Sequence, residues 1–88
     1  MNLGYTYAVD RSVVEVSLSL PKVEREKLAR AFHQLAGDPF QTGDSELPRP
    51  GRPPFRVTRF GHWLVTWWTD HPVREVRIVA IERISLHS

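Results

Sequence analysis

Apolar and polar positions change rhythm several times along this chain, and each change marks a candidate element. Tyr5 to Val9 alternates weakly and is rich in tyrosine and valine, which predicts an opening strand. In residues 13–20, Val14, Val16, Leu18 and Leu20 alternate strictly with Glu15, Ser17 and Ser19, the period of a strand. Asp10 and Ser12 stand just before this run and could cap whatever follows. The alternation predicts a hairpin strand, and Pro21 ends it. After Pro21 the period is helical: Val23, Leu28, Ala31, Phe32 and Leu35 share one face, charged residues take the other, and Gly37 is the stop.

From Gly37 to Pro54 there are five prolines and three glycines. That density predicts a long connection without regular structure, of the kind that is functional or mobile. Three antiparallel strands follow: Phe55–Phe60, Trp63–Thr69 and Arg74–Arg83, with turns at Gly61-His62 and at Asp70-His71-Pro72. On the middle strand Trp63, Val65 and Trp67 face one way and Leu64, Thr66 and Trp68 the other. On the last, Val76, Ile78 and Ala80 are expected on one face, with Arg77, Val79, Ile81 and Arg83 opposite. Both faces are partly apolar, which suits a sheet with helices on one side and a concave surface on the other. The pattern predicts an α+β fold.

Composition narrows the class. Eighty-eight residues, 41% hydrophobic and 25% charged, make one soluble domain spanning 1–88. No apolar run approaches the ~20 residues of a membrane span, the N-terminus lacks a signal-peptide layout, and cysteine is absent, so a cytoplasmic protein is expected. The net charge of +2 hides an asymmetry: residues 1–48 balance at −2 and residues 49–88 at +4. Ten of the twelve cations are arginine, which forks onto phosphate and stacks on bases. Arginine-rich strands interleaved with aromatics suggest an anionic partner, nucleic acid first.

Several chemistries are missing. There is no glycine-rich phosphate loop and no G-x-S-x-G elbow. Histidines 33, 62, 71 and 87 have no ligand spacing with each other or with carboxylates, so neither a metal nor another cofactor is expected. Arginine, histidine and aromatics remain, the vocabulary of phosphate recognition or metal-free RNA cleavage.

Taken in order, the chain resembles the RelE/ParE superfamily of toxin–antitoxin toxins. Tyr5-Thr6-Tyr7 is similar to the family's first strand, and Leu20-Pro21 to the junction between its two helices. Arg30 to Phe40 resembles the helix end followed by L-x-x-D-P. Phe55 to Trp63 resembles the Y-R-V-R-V-G-D-Y hairpin, Val65-Thr66-Trp67 the following V-I-Y, and Ile78 to Arg83 the last strand with its terminal basic residue. The resemblance implies a β-α-α-β-β-β domain, an antiparallel sheet with helices packed on one face, and a helix rather than a strand at residues 13–20.

It also implies a function. In the RelE branch this is metal-independent, ribosome-dependent cleavage of mRNA, with a protein antitoxin as partner. Transferred residue by residue, Arg56 and Arg59 match basic positions of the second strand, Arg83 the residue ending the last strand, and His87 a C-terminal catalytic side chain. Arg49, Arg52, His62 and Arg77 are the candidate RNA contacts. One position departs: the arginine of the family's G-D-Y-R is here Leu64. A leucine cannot stabilise charge on a reacting phosphate. Neighbouring arginines could substitute for it; alternatively, the chain follows the ParE branch, which inhibits DNA gyrase, or is a non-catalytic member.

Overall fold

The computed structural model describes residues 4–84. Their elements run β1 (Thr6–Val9), α1 (Arg11–Leu18), α2 (Lys22–Gly37), β2 (Ser45–Arg49), β3 (Arg52–Phe60), β4 (Trp63–Asp70) and β5 (Glu75–Arg83). The strands form one sheet in the order β1-β5-β4-β3-β2. β2 to β5 form an antiparallel meander, whereas β1 pairs with β5 in parallel, so the sheet is mixed rather than purely antiparallel. β1 and β2 lie at opposite edges, and the two helices make the crossing between them.

Residues 13–20 are resolved in favour of the helix. Asp10 holds the N-cap position through its backbone, its carbonyl accepting from the amides of Val13 and Val14; neither its side chain nor another provides a cap. The strand-like alternation is misleading because Val13 alone seals the core from α1, while Val14, Val16 and Leu18 are exposed. On α2, Leu28, Ala31, Phe32, Leu35 and Ala36 are buried as the period predicts, but Val23 in the first turn is exposed. The helix residues Val13, Leu28, Phe32 and Leu35 close on Trp63, Val65 and Trp67 of β4 and on Val76 and Ile78 of β5.

Residues 37–54 do not form an irregular connection throughout. They hold β2 and the start of β3, and the prolines fit because of where they fall. Pro50-Gly51 makes the turn between partners Arg49 and Arg52, with Gly51 at φ 67°. Pro48 lies in a register irregularity between Leu47 and Arg49. Pro53 and Pro54 precede the first β3–β4 pair, Arg56 with Trp67, so no ladder hydrogen bond to β4 is lost there. β2 is also the edge strand, where a missing N–H costs least.

The last strand carries the larger correction. Thr66 pairs with Ala80 but Trp67 pairs with Ile78, so Val79 is an extra residue and the strand bulges. Beyond it the alternation inverts. Ala80 is exposed, Ile81 packs against the core, and Arg83 stands opposite Trp63 on the helix side instead of sharing a face with Arg77.

Candidate nucleic-acid interface

Strand register assigns the arginines to faces. Paired residues share a face, and Trp63, Val65 and Trp67 define the helix side. Arg59 pairs with Leu64 and so lies on the open face, with Val57, Thr66, Trp68 and Arg77. Arg56 pairs with Trp67 and lies on the helix side. The candidate catalytic arginines are thus divided. Arg59 is on one face, Arg56 and Arg83 are on the other, and His87 falls outside the described residues.

Two groups emerge at opposite ends of the sheet. At the β3–β4 turn, the Arg59 Nε donates to the Gly61 carbonyl at 2.9 Å, and the Ile84 amide donates to the His62 carbonyl at 2.7 Å. The Arg83 guanidinium stands 6.0 Å from the Trp63 ring. Arg59 and His62 therefore stand at the Gly61-His62 turn, with Gly61 at φ 60°, a value glycine adopts freely, while Arg83 lies beside Trp63 on the other face of the sheet. Leu64 sits between Arg59 and Glu82 on the open face and adds no charge.

At the other end, Arg49 lies 3.9 Å over the Phe55 ring and 5.3 Å from Trp68, its Nε donating to the Pro53 carbonyl at 2.8 Å. Its Nη2 is buried with no hydrogen-bond partner among the described residues, which the negative π-faces around it partly offset. Arg77 approaches the same indole at 5.7 Å and is ion-paired with Glu75 at 3.1 Å. Arg52, opposite Arg49, is exposed. The Phe55–Trp68 platform was not singled out by the alternation, since aromatics on either face look equally suited to a core.

Charge pairing separates the arginines further. Among the described residues, no carboxylate pairs with the guanidinium of Arg49, Arg52, Arg59 or Arg83, although the Asp44 carboxylate accepts from the Arg59 backbone amide at 2.7 Å; Arg56 is paired with Glu46 at 2.9 Å. The guanidiniums without an ion pair are available to an incoming anion. Near Arg83, Glu24 is held below the ordinary carboxylate range by the hydrogen bond from the Trp63 indole at 3.1 Å, then by Lys27 and the Arg83 charge, with partial burial acting the other way. No three metal-ligating side chains converge among the described residues.

No protein-family model and no curated protein matches the sequence. Solved structures do match. The archaeal RelE–RelB complex from Pyrococcus horikoshii OT3 aligns at 18% identity over 99% of this chain and 100% of that chain, with a TM-score of 0.75. The fold is that of the RelE toxins. The RelBE2 toxin–antitoxin complex from Mycobacterium tuberculosis aligns at 18% identity over 90% and 96% of the two chains, TM-score 0.74. The isolated E. coli RelE toxin aligns at 13% over 96% and 88%, TM-score 0.71. On this RelE fold, no described helix is long and apolar enough to cross a membrane.

Proposed function

We propose that the protein is the toxin of a type II toxin–antitoxin pair, that a RelB-type antitoxin is its partner, and that it cleaves mRNA on translating ribosomes in the cytoplasm. The end-to-end correspondence with RelE toxins carries this reading, and the unneutralised Arg49, Arg52 and Arg59 support RNA as the target. Cleavage without a metal, the route the resemblance implies, is in-line attack of a ribose 2′-OH on the adjacent phosphate. A base takes the 2′ proton, an acid protonates the departing 5′ oxygen, and cations hold the charge between them. Arg59 supplies the cation at the Gly61-His62 turn on the open face, with Arg83 across the sheet on the helix side. His62 at the turn is one proton-transfer group, and His87 is the other that the resemblance implies. Arg49 and Arg52 hold the backbone of the incoming strand, and Arg77 lines it.

Leu64 favours a second reading. With a leucine between Arg59 and Glu82, the centre of the open face holds no cation, as suits a toxin that binds a target such as DNA gyrase without cutting RNA. Induced expression with mapping of mRNA 5′ ends separates the two. Growth arrest with new 5′ ends inside translated frames is expected, and Arg59→Ala should reduce cutting by about 100-fold. Leu64→Arg should raise it. Arrest with unaltered mRNA, and supercoiling inhibited by the pure protein, establishes the second reading and ends the first.

A further inference from the structure

A different group of side chains lies on the helix side of the sheet, away from the Gly61-His62 turn. The segment after α2 crosses there over β3 and β4 and leaves a cleft of about 360 Å³, lined by Phe40, Gln41, Arg56, Thr69 and His71 together with prolines. Phe40 is 65% exposed, an unusual position for so large an apolar ring. It is nevertheless fixed. Its ring stacks on the His71 imidazole with centroids 5.0 Å apart and planes 14° from parallel. Buried Tyr5 stands edge-on to both rings, and its Oη is 2.7 Å from the His71 Nδ1.

Unused hydrogen-bonding capacity surrounds this stack. Both contacts of Arg56, to the Thr42 carbonyl at 3.2 Å and to Glu46 at 2.9 Å, run through Nη1. Its Nε and Nη2 have no partner among the described residues and form the fork that matches two phosphate oxygens. When the Tyr5 hydroxyl donates to Nδ1, the His71 ring carries a proton on Nε2, a donor with no partner among the described residues. Gln41 spends its amide N–H on the Asp38 carbonyl and keeps its amide oxygen free.

We propose that this cleft binds a nucleoside monophosphate unit. The base extends the Phe40–His71 stack on the outer face of Phe40, Gln41 meets the base edge, and the Arg56 fork and His71 Nε2 take the phosphate. A cleft of 360 Å³ lies near the lower limit of small-molecule sites, which suits one nucleotide and not a longer strand. The unit is a free mononucleotide or the 5′-phosphorylated end of an RNA. The site lies across the sheet from the open-face arginines and does not depend on the toxin reading.

Nuclear magnetic resonance titration of the whole chain with AMP, UMP, inorganic phosphate and a 5′-phosphorylated tetranucleotide tests it. Both mononucleotides should bind more tightly than phosphate and shift the His71 ring and Phe40 signals. Phe40→Ala removes the ring that stacks on His71 and should weaken mononucleotide binding about tenfold or more, the order of one base stack. Arg56→Gln should weaken phosphate and nucleotides alike. A tetranucleotide that binds as well as AMP identifies an RNA end as the source; one that does not identifies the free nucleotide. Phosphate binding equal to AMP, an unchanged Phe40→Ala variant, or shifts confined to the open face overturns the proposal.

Discussion

Trp67 and Trp68 are neighbours in the chain and belong to different environments. Trp67 is fully buried on the helix side, its indole N–H donating to the Thr58 hydroxyl at 3.1 Å, among Leu35, Val65 and Ile78. Trp68 is half-buried on the open face, with Arg49 and Arg77 at 5.3 and 5.7 Å. One face is closed by packing at its centre, with the cleft beside Phe40 and His71 at its margin. The other is finished with guanidiniums over aromatic rings, and those of Arg49 and Arg59 have no carboxylate ion pair among the described residues. The centre of the helix side holds the fold, and the open side is left chemically available.

Replacing each tryptophan breaks the comparison most directly. Trp67→Ala removes a fully buried ring and leaves a cavity, and should cost about 3–5 kcal/mol in urea-induced unfolding. Trp68→Ala removes partial burial and two cation–π contacts, for about 1–2 kcal/mol. Equal losses would mean that the open face is as much a core as the other.

Deleting Val79 tests the face assignment with a smaller effect than the loss of Trp67. Without the extra residue Ala80 follows Ile78 directly as the partner of Thr66, the strand alternates regularly, and Ile81 and Arg83 stay on the helix side. Because Ile81 keeps its burial, stability should change by less than the roughly 1.5–3 kcal/mol that exposing it would cost. The Glu24 carboxyl, still near the Arg83 charge, should remain lowered. A loss of that full size would show that Ile81 does not keep its place once the bulge is gone.

Much of this frame was legible in the residues because burial follows period. The faces of β4 and, apart from Val23, the core of α2 were read from alternation and helical spacing, and the structure has them so. Three features were hidden for identifiable reasons. The α1 alternation reflects a helix that needs only Val13 inside, so the other apolar residues were free to fall at any spacing. Proline content could not reveal β2, because whether a strand tolerates proline depends on which edge it occupies. The bulge at Val79 left no mark in composition, yet it moves Arg83 across the sheet, and with it one residue of the candidate catalytic set. Phe40 and His71, 31 positions apart, meet only in space.

The smallest expected effect lies at the margin of the closed face. Glu24, with its side chain 23% exposed, accepts from the Trp63 indole and is drawn below the ordinary glutamate value of about 4.3. Because the folded value is the lower one, the unfolded chain binds more protons between the two. The contribution to stability is therefore complete above the ordinary value and is lost as pH falls through the folded one. Glu24→Gln keeps an amide oxygen for the Trp63 N–H but removes the charge shared with Lys27 and Arg83. Wild type should be slightly more stable at neutral pH, and unfolding curves recorded at successive pH values should bring the two proteins together as acidification passes the folded value. Solvent screening keeps the gap small. A gap that persisted unchanged into acid would assign the effect to packing of the side chain rather than to its charge, and would place Glu24 with the closed face.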